Sequence, residues 1–188
     1  MIFQIVSLLL GTAASLLGTA FVARVWMQWV RAPFRNPVGQ FVITLTDWAV
    51  RPLRRVIPGL FGIDLASVVA AWLVQIAYYG ILAGLLGLAA IDPMAMVAVA
   101  WVAALAVLRL FVYLLIGVII VAALLSWINP YSPFGSLVDA LARPLLQPVR
   151  RFLPPLGGID LSPLVVILLL QVVLIVLAGL QPPSLALP

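Results

Sequence analysis

The chain has 188 residues, of which 66% are hydrophobic and 8% charged, a composition that belongs to integral membrane proteins. Its charges are ten arginines and five aspartates, with no lysine, glutamate, histidine or cysteine, for a net charge of +5. This excludes disulfides, thiolate and imidazole chemistry, haem, iron–sulfur and ordinary zinc ligation, Schiff-base lysines and the standard phosphate-binding loop.

In chain order, Ile2 to Ala23 is the first apolar span, long enough to cross about 30 Å of hydrocarbon. Its cations, Arg24, Arg31 and Arg35, follow it, the reverse of a cleavable signal peptide, so the N-terminus is expected outside. Trp26 and Trp29 are expected to mark the cytoplasmic headgroup level. Then Val38, Phe41, Val42, Leu45, Trp48 and Ala49 recur at helical spacing, opposite Gln40, Thr44, Asp47 and Arg51. This predicts an amphipathic interfacial helix with an Asp47–Arg51 pair on its wet face, bent or ended by Pro52.

The second span, about Ala66 to Ala90, follows Asp64 as a candidate cap, and its Gly80, Gly84 and Gly87 would let another helix approach closely. Asp92-Pro93 predicts a turn into a new helix. Met94 to Ile128 reads either as one long tilted or bent helix or as a short outer segment followed by a span from Leu110. Arg109 would snorkel to the outer interface. Phe134, Leu137, Val138, Leu141, Leu145, Val149 and Phe152, set against Ser136, Asp139, Arg143, Gln147 and Arg150, predict a second amphipathic helix interrupted by Pro148. Asp160 then caps the last span, Leu161 to Leu180, and Gln181 to Pro188 is a frayed tail.

The two hairpins repeat one another. Asn36-Pro37, Asp47, Arg51-Pro52, Arg54-Arg55, Ile57-Pro58 and Gly62-Ile63-Asp64-Leu65 return as Asn129-Pro130, Asp139, Arg143-Pro144, Arg150-Arg151, Leu153-Pro154 and Gly158-Ile159-Asp160-Leu161. The offset is 92 or 93 residues up to the Arg-Pro pair and 96 beyond it, and Trp127 aligns with Trp29. Both hairpins carry paired arginines, so the positive-inside rule places both in the cytoplasm and both termini in the periplasm. The expected fold is all-α and polytopic: four transmembrane helices as two parallel repeats, residues 1–92 and 93–188, each with a cytoplasmic amphipathic interfacial helix.

This doubled pattern resembles the YggT family of small membrane proteins over essentially the whole chain. Arg54-Arg55-Val56-Ile57-Pro58 with Ile63-Asp64, and Arg150-Arg151-Phe152-Leu153-Pro154 with Gly158 to Pro163, look like its signature. The first copy departs mildly, with Phe61-Gly62 for Gly157-Gly158 and Ala66-Ser67 for Ser162-Pro163. The resemblance implies a bacterial inner-membrane protein associated with envelope or osmotic stress and division-linked loci. Plastid relatives are linked to cytochrome maturation and nucleoid organisation, and no catalytic residues come with the family.

The candidate site residues follow from the repeats. Arg51, Arg54, Arg55, Arg143, Arg150 and Arg151 suit anionic lipid headgroups or a docking protein rather than nucleic acid. Asp64 and Asp160 are helix caps or contacts to a cation or a partner's arginine. Gln75 and Gln171 each lie eleven residues beyond their aspartate, about 16 Å into the bilayer, and would meet as interhelical glue or as part of a polar path. No metal or cofactor is implied. Five aspartates alone are a poor acid–base set, so the expectation is a non-enzymatic adaptor, assembly or envelope stress factor, working with another membrane protein or as a homo-oligomer. The alternative is a small ion or solute transporter or channel component using the glutamine pair, and an enzyme acting on lipid ranks third.

Overall fold

The computed structural model describes residues 1–59, 62–85, 93–128, 133–153 and 160–181, with only the backbone described at Pro93, Trp127 and Pro133. Among them are six helices and no ladder of strands: α1 (Ile2–Trp29), α2 (Pro37–Arg54), α3 (Leu65–Leu85), α4 (Pro93–Ile128), α5 (Pro133–Phe152) and α6 (Ser162–Gly179). Four of them, α1, α3, α4 and α6, are long and apolar enough to cross a membrane. Their outward surface is apolar as well, as at Leu8, Leu73, Leu168 and Val176, which suits a lipid solvent.

Local sequence sets the helix boundaries. At the end of α1, Arg31 adopts a left-handed conformation (φ 55°), its N–H donating to the Gln28 carbonyl and that of Ala32 to the Met27 carbonyl. This is a Schellman closure with arginine where glycine is usual. Asn36 caps α2 by accepting from the Gly39 N–H at 2.8 Å, and Pro37 opens its first turn. Pro52 does not end α2, which runs two residues further, and neither Pro144 nor Pro148 breaks α5. α4 is one uninterrupted helix of 36 residues, about 54 Å long. That favours the long-helix reading over a separate outer segment. The turn at Asp92, Gly87, the signature from Pro154 to Ile159 and the tail beyond Gln181 lie outside the described residues.

α1, α2 and α3 close around Phe21, Val22, Val50, Ala66, Ala70 and Ala71. α4, α5 and α6 close around Ile119, Ala142, Leu146 and Val166. Phe21 and Ile119, Val50 and Ala142, and Ala70 and Val166, which the sequence offsets align, are members of these two clusters. A third cluster joins the halves: Trp26, Met27 and Val42 meet Leu115, Leu137 and Leu141. There the Trp26 indole N–H donates to the Leu141 carbonyl at 3.1 Å and its ring meets Phe111 edge-on. Trp26 is therefore a buried strut between α1 and α5, its N–H finding a carbonyl inside the bundle.

Candidate functional site at the arginine-rich end

The buried stripe of α2 is Gly39, Val42, Thr46 and Val50. This is rotated from the expected one, so Phe41 and Trp48 point outward and Asp47 turns partly inward. The rotation follows from a charge that the sequence sets directly after the first apolar span. Arg24, at the end of the apolar run of α1, is buried, and its Nη1 donates to Thr46 Oγ1 at 2.6 Å and Asp47 Oδ1 at 2.8 Å. Its Nε lies 3.8 Å from Asp64 Oδ2. A guanidinium at such a depth needs carboxylates around it, since an unpaired buried charge costs several kcal/mol.

Asp47 and Asp64 are each gripped twice. Arg51 takes the second oxygen of Asp47 at 2.7 Å, the pair expected from their spacing. Arg54 forks onto Asp64, Nη2 to Oδ2 at 2.7 Å and Nε to Oδ1 at 3.2 Å, and the Ser67 hydroxyl donates to the same carboxylate. Asp64 is thus the hub of an ion network more than a cap. Burial pushes the Asp64 carboxyl up, but hydrogen bonds from Arg54 and Ser67 and the charges of Arg54 and Arg24 hold it below the ordinary carboxylate range. Asp47 is lowered in the same way, burial being outweighed by Arg24 and Arg51. The Asp64 hydrogen bond raises Arg54 against its own burial.

The second half carries the same carboxylates in a thinner network. Arg150 binds Asp160 at 2.8 Å, and Arg143 binds Asp139 at 3.0 Å. Asp160 also accepts from the Ser162 N–H at 2.9 Å, a cap at the start of α6. Contacts from Ser162 and Arg150 outweigh burial and lower the Asp160 carboxyl. The position equivalent to Arg24 is Ala122, and the carboxylates are correspondingly more open. The Asp139 and Asp160 side chains are 48% and 32% exposed, against 18% and 4% for Asp47 and Asp64.

The other expected groups fall elsewhere. Gln75 is buried and donates to the Ala14 carbonyl of α1 at 3.2 Å, whereas Gln171 is exposed on α6, so the two do not form a pair. The difference is one of packing: α3 lies against α1, while the Gln171 side of α6 faces outward. Gly80 and Gly84 have open space beside them; the close approaches are at Gly11 against Tyr78 and at Gly18 against Leu110 and Gln75. Arg109 donates to the Leu177 carbonyl at 3.0 Å, near the far end of α6. Sequence reasoning missed Thr46, Ser67 and the central role of Arg24. A cation at the end of an apolar run in one repeat and absent from the other was the available signal.

All the ion pairs of the described residues thus lie at one end of the bundle, and apart from the buried Arg24 each guanidinium is more exposed than the carboxylate it binds. No group of three or more aspartates that could hold a metal ion occurs among the described residues. Arg55 and Arg151 are exposed and make no ion pair among the described residues. Such a face can bind phosphates, carboxylates or acidic protein surfaces.

The model of the CCB3/YggT family matches residues 3–86 and 101–181. The uncharacterized protein YggT of Escherichia coli is 38% identical over 167 residues, covering 88% of this chain and 85% of that protein. An uncharacterized Pseudomonas aeruginosa protein is 39% identical over 88% of this chain and 84% of its own length. A Vibrio alginolyticus protein encoded in the proC 3' region is 32% identical over 88% and 89%. No solved structure matches the chain significantly.

Proposed function

Since this chain belongs to the CCB3/YggT family of membrane proteins, we propose that it acts as a non-enzymatic adaptor or assembly factor of the bacterial inner membrane, serving the envelope under osmotic stress. In this reading it is built of two parallel repeats, and α2 and α5 are amphipathic helices on the cytoplasmic face. The observation that carries the reading is the segregation of charge. Arg51 and Arg143 are 78% and 65% exposed, Arg55 and Arg151 make no ion pair among the described residues, and the carboxylates that bind Arg51 and Arg143 are less exposed than they are. A face of this kind attracts anionic headgroups and presents planar donors to an acidic partner, another membrane protein or a second copy. The absence of histidine, cysteine, lysine and glutamate from the sequence supports a role without catalysis. Localisation with both termini periplasmic follows from the same charge bias.

Arg54 and Arg150 hold Asp64 and Asp160, so replacing them tests folding as much as docking. The discriminating variant is Arg55→Gln with Arg151→Gln. Mass spectrometry of material purified in gentle detergent from the native membrane should show partners lost from this variant and kept by the wild type. An unchanged partner set together with an unchanged osmotic phenotype would sink the adaptor reading. The transporter alternative uses Gln75 and Gln171 at mid-depth with Asp64 and Asp160 at the inner mouth, but Gln171 is exposed and both aspartates are ion-paired, so no observation favours it.

A further inference from the structure

The two halves differ at one position in a way that leaves a chemical vacancy. In the first, Arg24 reaches from α1 between Asp47 on α2 and Asp64 before α3, and fills the space where the three elements meet. In the second, Ala122 stands at that place on α4, and a cavity of about 440 Å³ opens there. Its polar lining is Asp139, Ser126, Arg150 and Asp160, the two aspartates being the counterparts of those that hold Arg24. Leu125, Leu146, Leu164 and Ile167 wall it with apolar surface suited to the methylenes of a long cationic side chain.

Charge and partner counts agree with the geometry. Asp47 has a guanidinium on each oxygen, whereas Asp139 has Arg143 alone among the described residues. Thr46, which accepts from Arg24, corresponds to Val138, and Ser126 brings a hydroxyl to the cavity instead. The first half therefore shows what the same carboxylates bind when the place is filled: a planar guanidinium lying between them.

We infer that the cavity beside Ala122 is a socket for a guanidinium from outside the chain, an arginine side chain of a second polypeptide that Asp139 binds as Asp47 binds Arg24, with Asp160 beside it as Asp64 lies beside Arg24. This deepens the adaptor reading and rests on it for the existence of a partner. It also assigns the second half a task of its own, since the first half supplies its arginine internally.

The test uses the full chain in detergent and L-argininamide as the probe, with glycinamide as the control for ionic strength. The wild type should unfold at a higher temperature as argininamide rises through the millimolar range. Ala122→Arg supplies the group internally and should be more stable without the probe and indifferent to it. Should that variant not fold, Ala122→Leu, which fills the cavity without charge, and Asp139→Asn must each lose at least half of the probe-induced shift. Arg24→Ala opens the first socket and should show a larger shift than the wild type.

No argininamide shift in the wild type, or an equal shift in Ala122→Leu and Asp139→Asn, overturns the proposal. Stabilisation by phosphatidylethanolamine nanodiscs alone, without an argininamide response, makes the ligand a lipid ammonium and overturns it equally. The chain has no native cysteine, so one placed at Ser126 and alkylated with a maleimide-benzophenone should, on irradiation, insert into a C–H bond of an arginine-bearing segment, of a second copy or of a different protein. A cross-link to lipid only counts against it. The Arg55→Gln/Arg151→Gln variant should keep the argininamide shift, so failure of the socket and failure of the adaptor reading give different results.

Discussion

Arg24 and Asp47, 23 residues apart, are joined by a 2.8 Å hydrogen-bonded ion pair that fixes α2 against the end of α1. The pair sets which side of α2 is buried, since turning Asp47 inward brings Thr46 and Val50 into the core and turns Trp48 out. Replacing Arg24 with alanine leaves Asp64 inside with one guanidinium fewer, and we expect a loss of about 3 kcal/mol. Unfolding in detergent by calorimetry checks this. Thr46→Val should cost about 1–2 kcal/mol by removing a hydrogen bond to a charged donor.

The two repeat aspartates should respond unequally. Asp64 is almost fully enclosed, and Asp64→Asn breaks a forked guanidinium contact there, at a cost of about 3 kcal/mol. Asp160 is a third exposed and its pair is screened, so Asp160→Asn should cost about 1 kcal/mol or less. Equal losses in parallel unfolding experiments would contradict this asymmetry.

Acid should loosen the first half. The Asp47 and Asp64 carboxyls lie below their unfolded values, so their contribution is complete above about pH 4 and is lost as the pH falls through their lower folded values. Between pH 6 and pH 2.5 the unfolding temperature of the wild type should fall more steeply than that of Asp64→Asn. Parallel curves would show that Asp64 is not titrating against its partners.

Glycine positions separate packing from open surface. A Cβ on Gly39 would stand 2.6 Å from the Phe34 carbonyl oxygen, a backbone atom, so Gly39→Ala should destabilise by about 1–3 kcal/mol. Nothing lies within 4 Å of a Cβ on Gly84, where alanine should be neutral or gain up to about 1 kcal/mol through helix propensity. Thermal unfolding of the two single variants compares them directly.

Much of this protein was legible without coordinates because its signals are local. Apolar runs long enough for a bilayer marked α1, α3, α4 and α6, and helical spacing from Val38 to Ala49 marked α2. The doubled Asn-Pro, Arg-Pro, Arg-Arg and Ile-Asp-Leu signposts marked both hairpins and the family. The i,i+4 pairs Asp47–Arg51 and Asp139–Arg143 needed only helical spacing.

What the sequence left open was everything set by how the helices rotate against one another. Periodicity defines an apolar face only to within one or two residues, and in a chain with apolar surface both inside and out it does not say which side meets protein. Tertiary contact decided that Gln75 turns to Ala14 while Gln171 turns outward, that Trp26 reaches α5, and that Arg24 serves the core. The physical reason is that a buried polar group must find partners at hydrogen-bond distance, and those partners come from segments distant in the chain.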